Sequence, residues 1–192
     1  MRAFSRSFLL LFGVAAGLAA GLVACDNASD GTGHVAVRLT DAPLDDFSTA
    51  NVTITRVDLI GADSTRTHTL SSASQRFDLL RLRNGVTAAL GGADVPEGRY
   101  QGLRLYVADG ATVTMKADGS TETLKVPSGT QSGIKVNFPA FAVTDSTTLT
   151  VDFDVNDSFV KAGNSGKYIF KPVLKPALLV VNGDTLVNRM PR

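Results

Sequence analysis

Tryptophan is absent from this 192-residue chain, cysteine occurs once and histidine twice. Each shortage excludes something. A single cysteine forbids a disulfide within the chain and any cluster of thiolate ligands. The two histidines, His34 and His68, stand in no H-E-x-x-H arrangement and near no cysteine, so no zinc-hydrolase signature is present. Charge of one sign is also missing. There are 19 Lys and Arg against 18 Asp and Glu, a formal net charge of +1 with no basic run, whereas nucleic-acid binding needs a clustered positive footprint. No G-x-S-x-G elbow and no phosphate loop occurs. Without a recognisable nucleophile–base pair, the chain reads as non-enzymatic.

What is there begins at the front. Arg2 and Arg6 precede an apolar run from Phe8 to Ala20, and Leu22-Val23-Ala24-Cys25 follows. Positive flank, apolar stretch and small residues form the secretory-signal pattern. The run falls short of the ~20 apolar residues a membrane span needs. Leu22 to Cys25 resembles the lipobox of bacterial lipoproteins. That implies cleavage before Cys25, palmitate-type lipid on its sulfur, and a body held at a membrane in the cell envelope. Two or three chains hold firmly where one holds only reversibly. The sorting rule that reads Asp26 is not general, so inner and outer membrane both stay open.

Removing residues 1–24 takes away two arginines and no acid, leaving 168 residues with a net charge near −1. A chain of that length buries roughly 70% of its unfolded surface and needs no disulfides. Residues 25–33 read as the lipidated cysteine and a flexible polar tether, 34–183 as one domain, and 184–192 as a polar tail.

Within the domain the apolar period is two. Val35, Val37 and Leu39 alternate with polar partners, as do Leu103, Leu105 and Val107, Ile134, Val136 and Phe138, and Leu149, Val151, Phe153 and Val155. Val52 and Ile54 are out of phase with Val57 and Leu59, which predicts a β-bulge or a change of sheet at Thr55-Arg56. Asp118-Gly119 predicts a two-residue hairpin. Leu82, Val86 and Leu90, four apart, predict one short helix between Arg81 and Gly92. Nine to eleven short strands with regular turns indicate an all-β chain, an antiparallel two-sheet β-sandwich.

Several motifs occur in order: T-D-A-P (Thr40 to Pro43), F-D-L-L (Phe77 to Leu80), G-R-Y-x-x-x-R-L (Gly98 to Leu105), V-P-S-G-x-Q-S-G-I-K (Val126 to Lys135), D-F-D (Asp152 to Asp154) and K-Y-x-x-K-P-V (Lys167 to Val173). Together they resemble a bacterial and archaeal lipoprotein domain family known as domain of unknown function 4382, over about residues 33 to 180. The resemblance implies an exported β-sandwich, transthyretin-like in form, behind a lipobox. It implies no reaction, ligand or catalytic residue.

Candidate sites come from the residues. On a regular strand Asp152, Asp154 and Asn156 share one face, about 7 Å apart. With a loop carboxylate such as Asp41 or Asp45 they form a hard-oxygen set suited to calcium. The D-x-D-x-N spacing also opens an EF-hand loop, but Asp157 stands where glycine is needed and Gly163 where glutamate is. The plainer reading is a solvated face whose carboxylates accept backbone bonds. Ser132-Gly133-Ile134-Lys135 and Ser158-Phe159-Val160-Lys161 match S-x-x-K without the accompanying S-D-N or K-T-G. The alternation after Gly133 predicts a strand there, and Gly129 and Gly133 predict a tight loop with positive φ. His34 and His68 read as exposed. Tyr100, Tyr106 and Tyr168 form a sugar-stacking platform if they share a face. The expectation is a lipid-anchored, non-enzymatic envelope module that contacts a protein, glycan or ion. Calcium or carbohydrate binding, and an envelope hydrolase with an unrecognised site, are the alternatives.

Overall fold

A computed structural model describes residues 31–41, 45–125, 132–163 and 167–191. Cys25 and the rest of the leader lie outside them, as does most of the Val126–Gly133 loop. In chain order the strands begin with β1 (Thr32–Asp41), β2 (Phe47–Gly61), β3 (Thr67–Ser71) and β4 (Gln75–Asp78). A 3-10 turn at Leu79–Arg81 leads to β5 (Ala88–Pro96), β6 (Gly98–Val107), β7 (Ala111–Met115) and β8 (Thr121–Leu124). Then come β9 (Ile134–Val143), β10 (Ser146–Phe153) and a single helical turn, α1 (Val155–Ser158). The series closes with β11 (Phe159–Lys161), β12 (Tyr168–Phe170), β13 (Leu174–Val181) and β14 (Asp184–Asn188).

Two sheets form the sandwich. The first runs β14-β13-β10-β1-β5. Its pairs are antiparallel except β1 with β10, which lie parallel from His34↔Ser146 to Asp41↔Phe153. The second is built on β2. Val57 pairs with both Ser71 of β3 and Leu105 of β6, and Asn51 with both Asp78 of β4 and Thr112 of β7. A strand has only two edges, so β3 and β4 follow one edge of β2 while β6 and β7 follow the other. β9 then pairs with β6 and β8 with β7.

The apolar face of each strand turns inward. Val35, Val37 and Leu39 of β1, Leu149, Val151 and Phe153 of β10, and Leu103, Leu105 and Val107 of β6 are all at most 1% exposed. Each such side chain contributes about 1.5–3 kcal/mol. One end of the core is aromatic. Phe47 lies 5.6 Å from Phe159 and 4.8 Å from Tyr168, and Phe170 lies 4.7 Å from Phe159 and 6.2 Å from Phe153. The β11–β12 hairpin thus plugs that end of the sandwich.

The bulge anticipated in β2 is present, as a register shift between Ile54 and Arg56 against β6. A hairpin does join β7 to β8 at Asp118-Gly119, but its loop is four residues, Lys116 to Gly119, rather than two: the Met115 N–H donates to the Ser120 carbonyl at 2.8 Å, and Asp118 Oδ1 accepts from the Ser120 N–H at 2.9 Å. Three further expectations are corrected. The helix expected around Leu82, Val86 and Leu90 is the short 3-10 turn followed by β5. Asn84 and Gly85 carry φ of 57° and 79°, a left-handed pair that no α-helix continues through, and β1 offers the next segment an edge to pair with. Residues 184–188 of the expected tail are β14, paired to β13 from Val181↔Asp184 to Leu178↔Asn188. Strand β1 begins at Thr32, inside the stretch expected to be tether.

Candidate functional site

The bulge in β2 decides what the second sheet shows to solvent. Because one residue is inserted, Val52, Ile54, Val57 and Leu59 all face the core, while Arg56, Asp58 and Ile60 face outward. Register then sets their neighbours. Arg56 lies opposite Tyr106, Asp58 opposite Arg104 and Arg104 opposite Lys135. In the next row Ile60 lies opposite Gly102 and Gly102 opposite Asn137.

Gly102 leaves the middle of that row without a side chain, and the result is a groove of about 430 Å³. Glycine is required here by close approach. A Cβ would stand 2.6 Å from the Val136 carbonyl oxygen, where β6 slips in register against β9. Beside the groove Gly133, at φ +66°, packs its backbone against the Arg104 and Tyr106 side chains. A Cβ there would come 2.7 Å from Arg104 Cγ. Of the two glycines expected to take positive φ, Gly133 does so and Gly129 lies outside the described residues.

Charge in the groove is unbalanced. Asp58 is 1% exposed and fully engaged, accepting from Arg56 Nη2 at 2.6 Å, from Arg56 Nε at 3.0 Å and from Thr69 Oγ1 at 2.9 Å. Arg56 also donates to the Tyr106 hydroxyl at 2.6 Å and lies 4.0 Å from that ring's centroid, a cation–π contact. Arg56 and Asp58 therefore neutralise each other. Arg104 and Lys135, side by side across β6 and β9, form no ion pair with a described residue, and Arg104 Nε is buried with no partner. Gln101, whose amide donates to Ser64 Oγ at 2.9 Å, and Asn137 complete a polar rim.

The residues singled out from the sequence fall elsewhere. Asp41 and Asp152 occupy adjacent strands, but Asp41 is in register with Phe153 on the core side and Asp152 with Thr40 on the outer side. The pleat therefore directs them to opposite faces. Strand β10 ends at Phe153, so Asp154 and Asn156 do not extend its face. Asp154 instead caps α1, accepting from the Asp157 N–H at 3.0 Å, and shares Lys175 with Asp157 at 2.5 and 2.9 Å. Burial opposes ionisation of Asp154, but the Lys175 ammonium and the Asp157 N–H outweigh it and hold its carboxyl below the ordinary range. Among the described residues no three His, Cys, Asp or Glu side chains gather as metal ligands. Asp152 is 8% exposed, and its Oδ1 has no partner. Burial, reinforced by the Asp154 charge and partly offset by Lys175, pushes its carboxyl up to about 6.

The tyrosines do not share a face. Tyr100 is a core residue whose hydroxyl donates to the Pro96 carbonyl at 2.7 Å, Tyr106 lies in the groove, and Tyr168 packs on Phe47 with its hydroxyl on Asp46 at 3.0 Å. His34 is exposed beside Asp94 at 2.8 Å, as expected. His68 is not. Its Nε2 is buried and its ring stands edge-on to Tyr100 at 5.9 Å. The S-x-x-K pairs dissolve too: Lys135 is on β9, Lys161 pairs with Asp46, and the Ser158 hydroxyl accepts from the Val173 N–H at 2.8 Å.

The groove itself was not anticipated, because Arg56, Arg104 and Lys135 read in sequence as ordinary polar positions of alternating strands. The available signal was that two of the ordered motifs, G-R-Y-x-x-x-R-L and V-P-S-G-x-Q-S-G-I-K, end in or at a cation. In space those cations are Arg104 and Lys135, cross-strand neighbours.

No curated protein and no solved structure matches the chain. A family model matches residues 32–172, which takes in every groove residue named above, and on that match the chain belongs to the family described as Domain of unknown function (DUF4382).

Proposed function

We propose that this chain is an envelope lipoprotein: cut before Cys25, lipidated on that sulfur, and displaying a non-enzymatic β-sandwich whose contact surface is the groove on the second sheet. The observation that carries the reading is the apolar leader ending in Leu22-Val23-Ala24 before the chain's single cysteine. Six residues separate Cys25 from the start of β1 at Thr32. Fully extended, such a link spans roughly 20–25 Å, enough to hold the domain clear of lipid headgroups. The tethered strand β1 belongs to the five-stranded sheet, while the groove opens on the outside of the other, which suits a surface kept free of its own anchor.

A binding role rather than a catalytic one is supported by the chemistry of the groove. It offers cations, amides and a tyrosine, and its one carboxylate, Asp58, is held by Arg56 and Thr69 and so is poorly placed to move a proton. Metabolic labelling with palmitate, alongside membrane fractionation, tests the anchor. Label on the natural chain and none on Cys25→Ser supports the reading; equal label on both contradicts it.

A further inference from the structure

We infer that the groove binds an acidic sugar, a ring carrying one carboxylate among several hydroxyls, as one unit of an anionic glycan. The inference rests on the groove being the domain's contact surface and adds the class of ligand. Three features converge. The uncompensated charge is local and positive: Arg104 and Lys135 stand as cross-strand neighbours, and the one carboxylate beside them is already matched by Arg56. A guanidinium without an ion-pair partner among the described residues, next to an ammonium, is a ready donor site for a single carboxylate. The rest of the rim is neutral and doubly capable. Gln101 and Asn137 present amides that both donate and accept, the complement of hydroxyl groups rather than of a second or third negative charge.

Shape is the third feature. The missing side chain at Gly102 and the Ile60 side chain beside it give a shallow apolar floor between the polar walls. About 430 Å³ falls in the range of small-ligand sites and holds a sugar ring or two. A lipid tail would need a deep apolar channel, and this groove lies open on the face of a sheet. A bare anion would leave the amide rim and the floor unused.

The test is calorimetric titration of the full chain, in detergent, with trigalacturonate. Saturable binding is expected, weakened by salt because the cations are solvent-accessible, and absent for the fully methyl-esterified trimer. Arg104→Gln and Lys135→Gln should each weaken it about tenfold or more. Arg38→Gln removes an exposed cation from the opposite sheet, where Arg38 Nε donates to Thr87 Oγ1, and should leave binding unchanged. Melting curves confirm that each variant is folded. The inference is overturned if the ester binds as well as the acid, if acetate or inorganic phosphate binds as tightly with the same sensitivity to Arg104 and Lys135, if neither glutamine variant weakens binding, or if no binding occurs. Failure here with palmitate still on Cys25 would remove the ligand and leave the anchored module standing. Binding with no lipid on Cys25 would do the reverse.

Discussion

Asp152 shows how a single side chain can set a pH response. Its carboxyl is pushed up from 3.8 to about 6, chiefly by burial. The folded state therefore holds that proton more tightly than the unfolded one. The resulting stability is complete below about pH 4 and is lost as pH rises through about 6, a change of roughly 3 kcal/mol. Asp152→Asn cannot ionise, so its stability should stay flat over the part of the curve where the natural chain declines. Melting temperatures of the two proteins from pH 4 to 7 check this, and their difference should shift by several degrees toward the variant as pH rises. Asp58 is buried too, with both carboxylate oxygens hydrogen-bonded. Asp58→Ala removes the bonds from Thr69 and Arg56 and should cost about 1–3 kcal/mol in chemical denaturation. The sequence marked Asp152 as unusual for the wrong reason. Its spacing with Asp154 and Asn156 suggested a shared strand face, but a capping turn that starts at Asp154 breaks the period. Asp58 drew no notice because nothing local distinguishes a buried outward carboxylate from a solvated one.

At the scale of elements, legibility depended on whether the signal was local. The β2 bulge and the place of the Asp118-Gly119 hairpin are encoded within a few residues and are legible, although the hairpin's loop is four residues long rather than two. The partnership of β1 with β10, parallel and more than a hundred residues apart in sequence, leaves no local trace, and neither does the β2–β6–β9 order that builds the groove. Asp184, Thr185 and Asn188 are polar and give β14 the composition of a tail, yet Val187 packs on the core and the strand covers the edge of β13. Deleting residues 184–192 should expose that edge, lower the melting temperature by several degrees and promote self-association, visible by light scattering. Phe153 and Phe170, both fully buried and stacked, tie β10 to the β11–β12 plug. Phe170→Ala should cost about 3–5 kcal/mol, and loss of chain order at the aromatic end should appear in hydrogen exchange before the sheets open.

For the whole molecule, the all-β class and the family were legible because they rest on alternation and on an ordered set of motifs spread along the chain. The site was not, because it exists only once three non-sequential strands lie together and Gly102 opens a gap among long side chains. Place in the cell is the central claim, and it rests on one sulfur atom rather than on the sandwich. The most direct measurement is membrane fractionation of cells making the natural chain or Cys25→Ser, with palmitate labelling on the same samples. The account predicts a labelled, membrane-bound natural protein, and an unlabelled serine variant that is no longer processed at residue 25. A serine variant that carries label like the natural chain, or a natural chain that carries none, would contradict it.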